Sequence, residues 1–360
     1  MYKNVLFFGA QSFALSMCNA IKKVYPECVI EGFLVTSLVG NPYVLNGLPV
    51  KELSVYAETL SEEERLDRHI LIATPEDLHL EIIVGLERYG FRNYICMDSV
   101  KEARLMEKYF SLSKELTVLH NLPMQSKKMD IKLKIIQTKF FKDKLLKCSW
   151  ELPEWVMPLQ VGTALTEVRV AELVDNQGDN ISLRNGNYCE LTGLYWLWKN
   201  GLTDECAYYG LFHYRRILDI SEEDLSCLKT NDIDVILPFP TMHEPNIKEH
   251  HKRYINEVDW QAMRQALGEL RPEYAEAYDE IFGQRYFYNY NMLVAKKQIL
   301  ENYCTWLFPV LERIEELSNP RGWERSDRYM GYIGENLLTL YFMYHRNDLN
   351  IVHTGRLMLT

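Results

Sequence analysis

Four short, unbroken apolar runs set the character of the first hundred residues: Val5-Leu6-Phe7-Phe8, Val29 to Val35, Ile70-Leu71-Ile72-Ala73 and Tyr94-Ile95-Cys96-Met97. Ser12 to Val24 separates the first two and Glu76 to Tyr89 the last two, each with apolar residues three or four apart, as on one face of a helix. Strands that are apolar on both sides need cover on both faces, which a parallel sheet with helices above and below provides. The expected fold is therefore α/β, beginning with a small doubly wound, Rossmann-like unit. The rhythm stops after residue 100, where Lys101-Glu102, Glu107-Lys108 and Lys127-Lys128 suggest a helix and then a linker.

A chain of 360 residues exceeds what one core comfortably organises. The expected organisation is a first domain over 1–120, a linker over 121–130 and a second domain over 131–360. In the second domain the pattern predicts strands at 131–137, 208–212, 234–238 and 286–295. Helices are expected near 187–200, 258–268, 297–317 and 330–344. Longer gaps between strands imply a mixed, less regular sheet.

Composition narrows the function classes. Lys plus Arg number 40 against 50 Asp plus Glu, a net charge of −10, which argues against a nucleic-acid binder with a global basic field. No apolar run approaches a membrane span, and the apolar stretch after Met1 is too short for a signal peptide, so a cytoplasmic protein is expected. Eight cysteines without a CxxC pair suggest reduced, buried thiols rather than zinc ligands or disulfides. A basic stretch, Lys127-Lys128, Lys132, Lys134, Lys139, Lys142, Lys144 and Lys147, is either simply solvated or a means of peripheral membrane association at an anionic inner face.

The first strand-to-helix turn, Phe8-Gly9-Ala10-Gln11-Ser12, keeps one tight-turn glycine but lacks the later glycines of a dinucleotide fingerprint. The second strand ends Leu34-Val35-Thr36-Ser37, with no acid for a ribose. An NAD-dependent sugar-nucleotide oxidoreductase is thus a weaker alternative.

The chemistry-bearing residues lie in the second domain. Asp175 to Ser182 and Asn185-Gly186-Asn187 crowd turn formers at a strand-to-helix junction, either a solvated capped loop or a nucleoside site using Asp179, Asn180 and Asn185. Glu190 beside the aromatic stripe of the 187–200 helix must be paired or functional, because a bare buried carboxylate is costly. The strand Tyr208 to Phe212 ends in His213-Tyr214-Arg215-Arg216, where alternation puts His213 and Arg215 on one side and Tyr214 and Arg216 on the other. These cations would suit a diphosphate, or they brace acids such as Glu190 or Asp219. Asp232-Ile233-Asp234 spells DxD but precedes its strand, which favours a loop over a metal site. His250-His251 read as solvated or acceptor-contacting. Tyr288, Asn289 and Asn291 edge a strand with sugar-binding side chains. Asp327 and Arg328 precede the last helix, where Glu335 sits in an apolar setting suited to base work or to pairing with Arg328.

These stretches together resemble a known family, the glycosyltransferase-like domain encoded in bacterial capsule and exopolysaccharide loci, formerly a domain of unknown function. The resemblance spans residues 131–353. It is carried by Pro158-Leu159-Gln160-Val161-Gly162, Gly178-Asp179-Asn180-Ile181-Ser182, Tyr188-Cys189-Glu190-Leu191-Thr192-Gly193-Leu194-Tyr195-Trp196, Gly210-Leu211-Phe212-His213-Tyr214-Arg215-Arg216, Tyr290-Asn291-Met292, Tyr303-Cys304-Thr305-Trp306-Leu307-Phe308 and residues 328–335. It implies a GT-A-like fold with a mixed sheet and transfer from a UDP-sugar, UDP-galactofuranose in some members, to a saccharide or lipid-linked saccharide. Such enzymes commonly hold Mn2+ or Mg2+ on a DxD motif, and where that motif is expected this chain offers His213-Tyr214-Arg215-Arg216. The resulting assignment gives the nucleotide sugar Asp179, Asn180, Asn185, Glu190, His213, Arg215 and Arg216, and the acceptor Tyr288, Asn289, Asn291 and Arg328. Glu335 is the first choice of base and Asp327 the second. A non-catalytic nucleotide-sugar-binding scaffold of a polysaccharide assembly complex is the remaining alternative.

Overall fold

The computed structural model describes residues 4–123, 131–147 and 150–360. Most of the expected linker, Lys127-Lys128 and Cys148 lie outside the described residues.

The first hundred residues run β1 (Asn4–Phe8), α1 (Ser12–Val24), β2 (Val29–Val35), β3 (Val44–Leu45), β4 (Leu48–Glu52), α2 (Leu53–Glu58), α3 (Glu62–Asp67), β5 (His69–Ile72), α4 (His79–Arg88) and β6 (Asn93–Cys96). α5 (Ser99–Ser113) follows. The strands form a six-stranded sheet ordered β3-β4-β2-β1-β5-β6, parallel except for the β3–β4 hairpin. Alternate β1 residues face opposite layers: Val5 and Phe7 pack with α1 and α5, Leu6 and Phe8 with α2 and α4. This is the doubly wound arrangement that the unbroken apolar runs require.

The second part begins with β7 (Leu133–Lys139), β8 (Val156–Gln160), β9 (Leu173–Val174), α6 (Asn185–Tyr188), α7 (Leu191–Trp196), β10 (Tyr208–His213) and β11 (Arg216–Leu218). It continues through α8 (Leu225–Thr230), β12 (Val235–Pro238), β13 (Thr241–Met242), α9 (Ile247–His251), α10 (Glu257–Leu270), α11 (Pro272–Gly283), β14 (Tyr286–Phe287) and β15 (Leu293–Lys296). α12 (Lys297–Leu317), α13 (Tyr329–Tyr344), β16 (Ile351–Thr354) and β17 (Arg356–Met358) complete it. Its main sheet is ordered β16-β12-β15-β10-β7-β8-β9; antiparallel β15 between parallel neighbours makes it mixed, as expected for a GT-A-like α/β fold.

Three expected elements differ. The 187–200 helix is broken at Cys189 (φ 49°, ψ −128°), because Asn185 Nδ2 donates to the Cys189 carbonyl (2.7 Å) and diverts it from the helix ladder. The 286–295 strand is two: β14 pairs with β13, β15 joins the main sheet, and between them Tyr290 (φ 72°) and Asn291 (φ 51°) take left-handed conformations. The alternation expected along 213–216 also fails. β10 turns back through Tyr214-Arg215 into β11, with His213 opposite Arg216, so the side chains follow a hairpin rather than one extended strand.

The α6–α7 region is anchored by Asp175, which is fully buried after β9. Its carboxylate accepts from Gly162 N (2.9 Å), Thr163 N (3.0 Å), Ser182 Oγ (2.5 Å) and Thr192 Oγ1 (2.8 Å). α7 sits so close to the sheet that a Cβ at Gly193 would lie 2.8 Å from Thr138 Cγ2. Asp175→Ala leaves these buried donors without their acceptor and should cost about 3 kcal/mol. Chemical denaturation would show this as a lower midpoint; an unchanged midpoint would contradict the anchoring role.

Candidate functional site

In open α/β sheets ligands bind beyond the carboxyl ends of the strands. β7, β8 and β10 are mutually parallel neighbours, and a cavity of about 410 Å³ opens where they end. Thr138 of β7, Val161 after β8 and His213 of β10 line it, with Asn185, Cys189 and Glu190 from the broken helix and Lys142, Asp143 and Arg328 at its edge. Asp143 accepts from Phe140 N (2.7 Å), and burial raises its carboxyl above the usual value. Arg328, at φ 66° before α13, donates Nε to Cys189 Sγ (3.3 Å). Burial first, then Glu190, lifts the Cys189 thiol to about 12, so it is not a ready nucleophile.

A second cavity, about 440 Å³, lies between the first sheet and the second part of the chain. Arg216, Asn289, Tyr290, Tyr332, Glu335 and Arg356 line it from one side, and residues following β1, β5 and β6 from the other. Arg216 and Arg356 both lie over the Tyr290 ring, 4.4 and 4.7 Å from its centroid. Arg356 also donates to both Glu102 oxygens (3.2 Å each).

A thin polar partition separates the cavities. Glu190 accepts from Asn291 Nδ2 (2.7 Å) and lies 3.7 Å from His213 Nε2, which contacts the Tyr290 carbonyl at 2.5 Å. Burial lowers the His213 pKa despite Glu190, so the ring is neutral, with Nε2–H donated to Tyr290 and Nδ1 left as an acceptor. On the other side, burial first and the charge of Glu190 second raise the Glu335 carboxyl to about 8; the Tyr290 backbone N–H, Arg216 and Arg328 oppose the shift.

The residues singled out from the sequence are thus distributed. Asn185, Glu190, His213 and Arg328 meet at the first cavity, with Arg328 on the side expected for the donor. Arg216, Asn289 and Glu335 meet at the second. Arg215 lines neither and lies 3.5 Å from Asp77. His213, being neutral, adds no positive charge for a diphosphate. Asp179 and Asn180 are spent on their own turn: Asp179 accepts from Tyr195 Oη (3.1 Å), while Asn180 bridges Gly178 O (2.8 Å) and Ser182 N (3.2 Å). Tyr288 belongs to the core, its hydroxyl on His353 Nε2 (2.8 Å). Asn291 braces Glu190 and the Gly331 carbonyl (3.1 Å). Asp327 is exposed, paired with Arg325 (2.6 Å), and lines neither cavity.

Several lining residues carried no sequence signal. Arg356 stands alone in the last strand, and His243 belongs to no motif. Ser12 was readable only as a helix start.

Asp232 and Asp234 are held by Lys296 (2.5 and 2.8 Å) at a turn before β12. Among the described residues no three His, Cys, Asp or Glu side chains converge as metal ligands. The two carboxylates of the DxD pattern are thus committed to Lys296 rather than available to Mn2+ or Mg2+. Of the basic stretch, Lys134 donates to the Gly201 carbonyl (3.0 Å) and Lys142 edges the first cavity. No helix among the described residues is long and apolar enough to cross a membrane.

Comparison with solved structures finds similarity to one titled "WbbM bifunctional glycosytransferase apo structure", at 28% identity and a TM-score of 0.54, covering 64% of this chain. This chain spans only 45% of that one. No curated protein matches. The family described as "Domain of unknown function (DUF4422)" matches residues 147–347, more than half of the chain, and the chain belongs to that family.

Proposed function

We propose that this chain is a glycosyltransferase that moves a sugar from a nucleotide-sugar donor to a saccharide acceptor, free or lipid-linked, in bacterial surface polysaccharide synthesis. A UDP-sugar is the donor, UDP-galactofuranose among the candidates. The observation that carries this reading is the first cavity, edged by Arg328 and Lys142 at the carboxyl ends of three parallel strands, with Glu335 across the partition. The glycosyltransferase named in the similar structure supports it. The exposed Lys144 and Lys147, which follow Lys142, would favour approach to an anionic membrane carrying the acceptor.

In this reading the nucleoside diphosphate lies in the first cavity, its phosphates on Arg328 and Lys142. His213 and Asn185 orient the donor without adding charge. Where the Glu190 and Asn291 side chains of the partition give way, donor and acceptor meet, and the acceptor hydroxyl gives its proton to the Glu335 carboxylate as its oxygen bonds the anomeric carbon. The bond from that carbon to the diphosphate breaks, and the departing charge is stabilised by the two cations.

The Glu335 proton makes two measurements decisive. Between about 4.5, its ordinary value, and about 8 the folded protein keeps a proton that the unfolded chain has lost, so Glu335 lowers stability as pH rises through that window. Glu335→Gln should therefore melt above wild type at pH 9 and level with it near pH 4. Turnover, followed as UDP release from a UDP-sugar, should rise with pH along a limb near 8. It should fall about 100-fold or more in Glu335→Gln. Glu190→Gln should move the limb to lower pH. Near-normal turnover in Glu335→Gln would remove the base assignment, and tight UDP binding without transfer would leave a scaffold.

Arg328→Gln should raise the donor KM about tenfold with folding retained. Activity should survive a chelator; a strict manganese or magnesium requirement would overturn the assignment of leaving-group charge to these side chains.

A further inference from the structure

The first sheet has its own ligand position. β1 continues to β2 on one side while β5 lies on the other, so the topological switch point is the crevice at the carboxyl ends of β1 and β5. Gln11 and Ser12 after β1, Thr74 and Glu76 after β5, and Met97 after β6 all line the second cavity. The switch point of one sheet and the Glu335 wall of the other therefore enclose the same space.

The enclosure is fixed. Met242 N donates to Ser16 Oγ (2.9 Å), Met358 N to Ser99 Oγ (2.9 Å) and Asn46 N to Glu244 (3.0 Å). Phe110 stacks on Phe239 at 5.3 Å. The cavity thus does not depend on ligand-driven closure.

Its chemistry follows from the hydrogen-bond directions. The Thr241 hydroxyl donates to the Asn289 amide oxygen or the Phe287 carbonyl, so His243 Nε2–H (3.2 Å) must be the donor to Thr241. His243 Nδ1 is then an acceptor and takes the Ser12 hydroxyl (3.0 Å). Ser12 Oγ in turn accepts from His250 Nε2–H (3.0 Å), leaving His250 Nδ1 as an acceptor. Burial keeps these rings neutral, His250 at about 4 and His243 well below its ordinary value. The chain of bonds fixes neutral groups across both halves of the cavity. The Thr74 hydroxyl, on the same wall, has no hydrogen-bond partner among the described residues.

Charge argues against a phosphate here. Arg356 is matched by Glu102, Arg216 is turned onto the Tyr290 ring, Glu76 adds negative charge, and Glu335 holds a proton. Neutral donors and acceptors beside the stacked Tyr254 and Tyr332 (5.1 Å, 23°) suit an uncharged polyol with apolar CH faces. The volume is in the range of small-molecule sites.

We propose that this cavity holds the acceptor saccharide, and that the first hundred residues form its specificity wall rather than an independent nucleotide-binding module. The proposal rests on the transferase reading, which places the reacting hydroxyl at Glu335.

The test uses the full chain, with methyl β-D-galactopyranoside and methyl N-acetyl-β-D-glucosaminide as probes in saturation-transfer NMR. A thermal shift with UDP reports the donor site separately. Wild type should bind at least one sugar. Thr74→Trp, which fills the cavity from the first sheet, should lose that signal while keeping the UDP shift. Ser12→Ala, which releases His243 and His250, should weaken sugar binding about threefold. No sugar binding by wild type, or equal binding by Thr74→Trp, overturns the proposal. Absence of a UDP shift in wild type counts instead against the donor site.

Discussion

One buried carboxylate organises the functional half of this protein. Glu190 is held by the Asn291 amide at 2.7 Å and faces a neutral His213 at 3.7 Å, so its charge stays inside a partition between two cavities. From there it acts in both directions. It walls the space beyond β7, β8 and β10, and it raises the affinity of Glu335 for a proton on the far side. Each feature that positions it is local and unusual for its residue type: the Cys189 break between α6 and α7 presents Glu190, and consecutive left-handed residues at Tyr290 and Asn291 present its partner. Such conformations cost on the order of 1 kcal/mol or more each and persist where the surroundings fix them.

The two cavities differ in electrostatic character, as the proposed transfer between two substrates would require. The first has the cations of Arg328 and Lys142 at its edge. The second balances Arg356 with Glu102, keeps its imidazoles neutral and places a proton-holding carboxyl nearest the partition. In the proposed transfer, these surroundings would sort a charged donor from an uncharged acceptor before any chemistry occurs.

Much of the fold was legible because parallel strands covered on both faces must read as unbroken apolar runs. β1, β2, β5 and β6 fall where those runs lie, and α12 occupies the expected 297–317. What escaped the pattern depended on single side chains and close approaches. No periodicity reveals that Asn185 will take the Cys189 carbonyl, or that His213 and Arg216, paired across a hairpin, will line different cavities. The candidate site was legible as residue types more than as places. Glu190, His213, Arg328 and Glu335 line cavities, whereas Asp179, Asn180 and Tyr288 spend their polar atoms on the scaffold. Arg356, His243 and Ser12 become partners only through contact between sheets distant in sequence.

The most direct measurement is a structure of the chain soaked with UDP. The account predicts density for the diphosphate beyond Thr138, within hydrogen-bond reach of Arg328, and none in the space lined by Ser12 and His243. A diphosphate seated between Ser12 and Arg216 would contradict it, because donor and acceptor would then have exchanged places and Glu335 would face the leaving group.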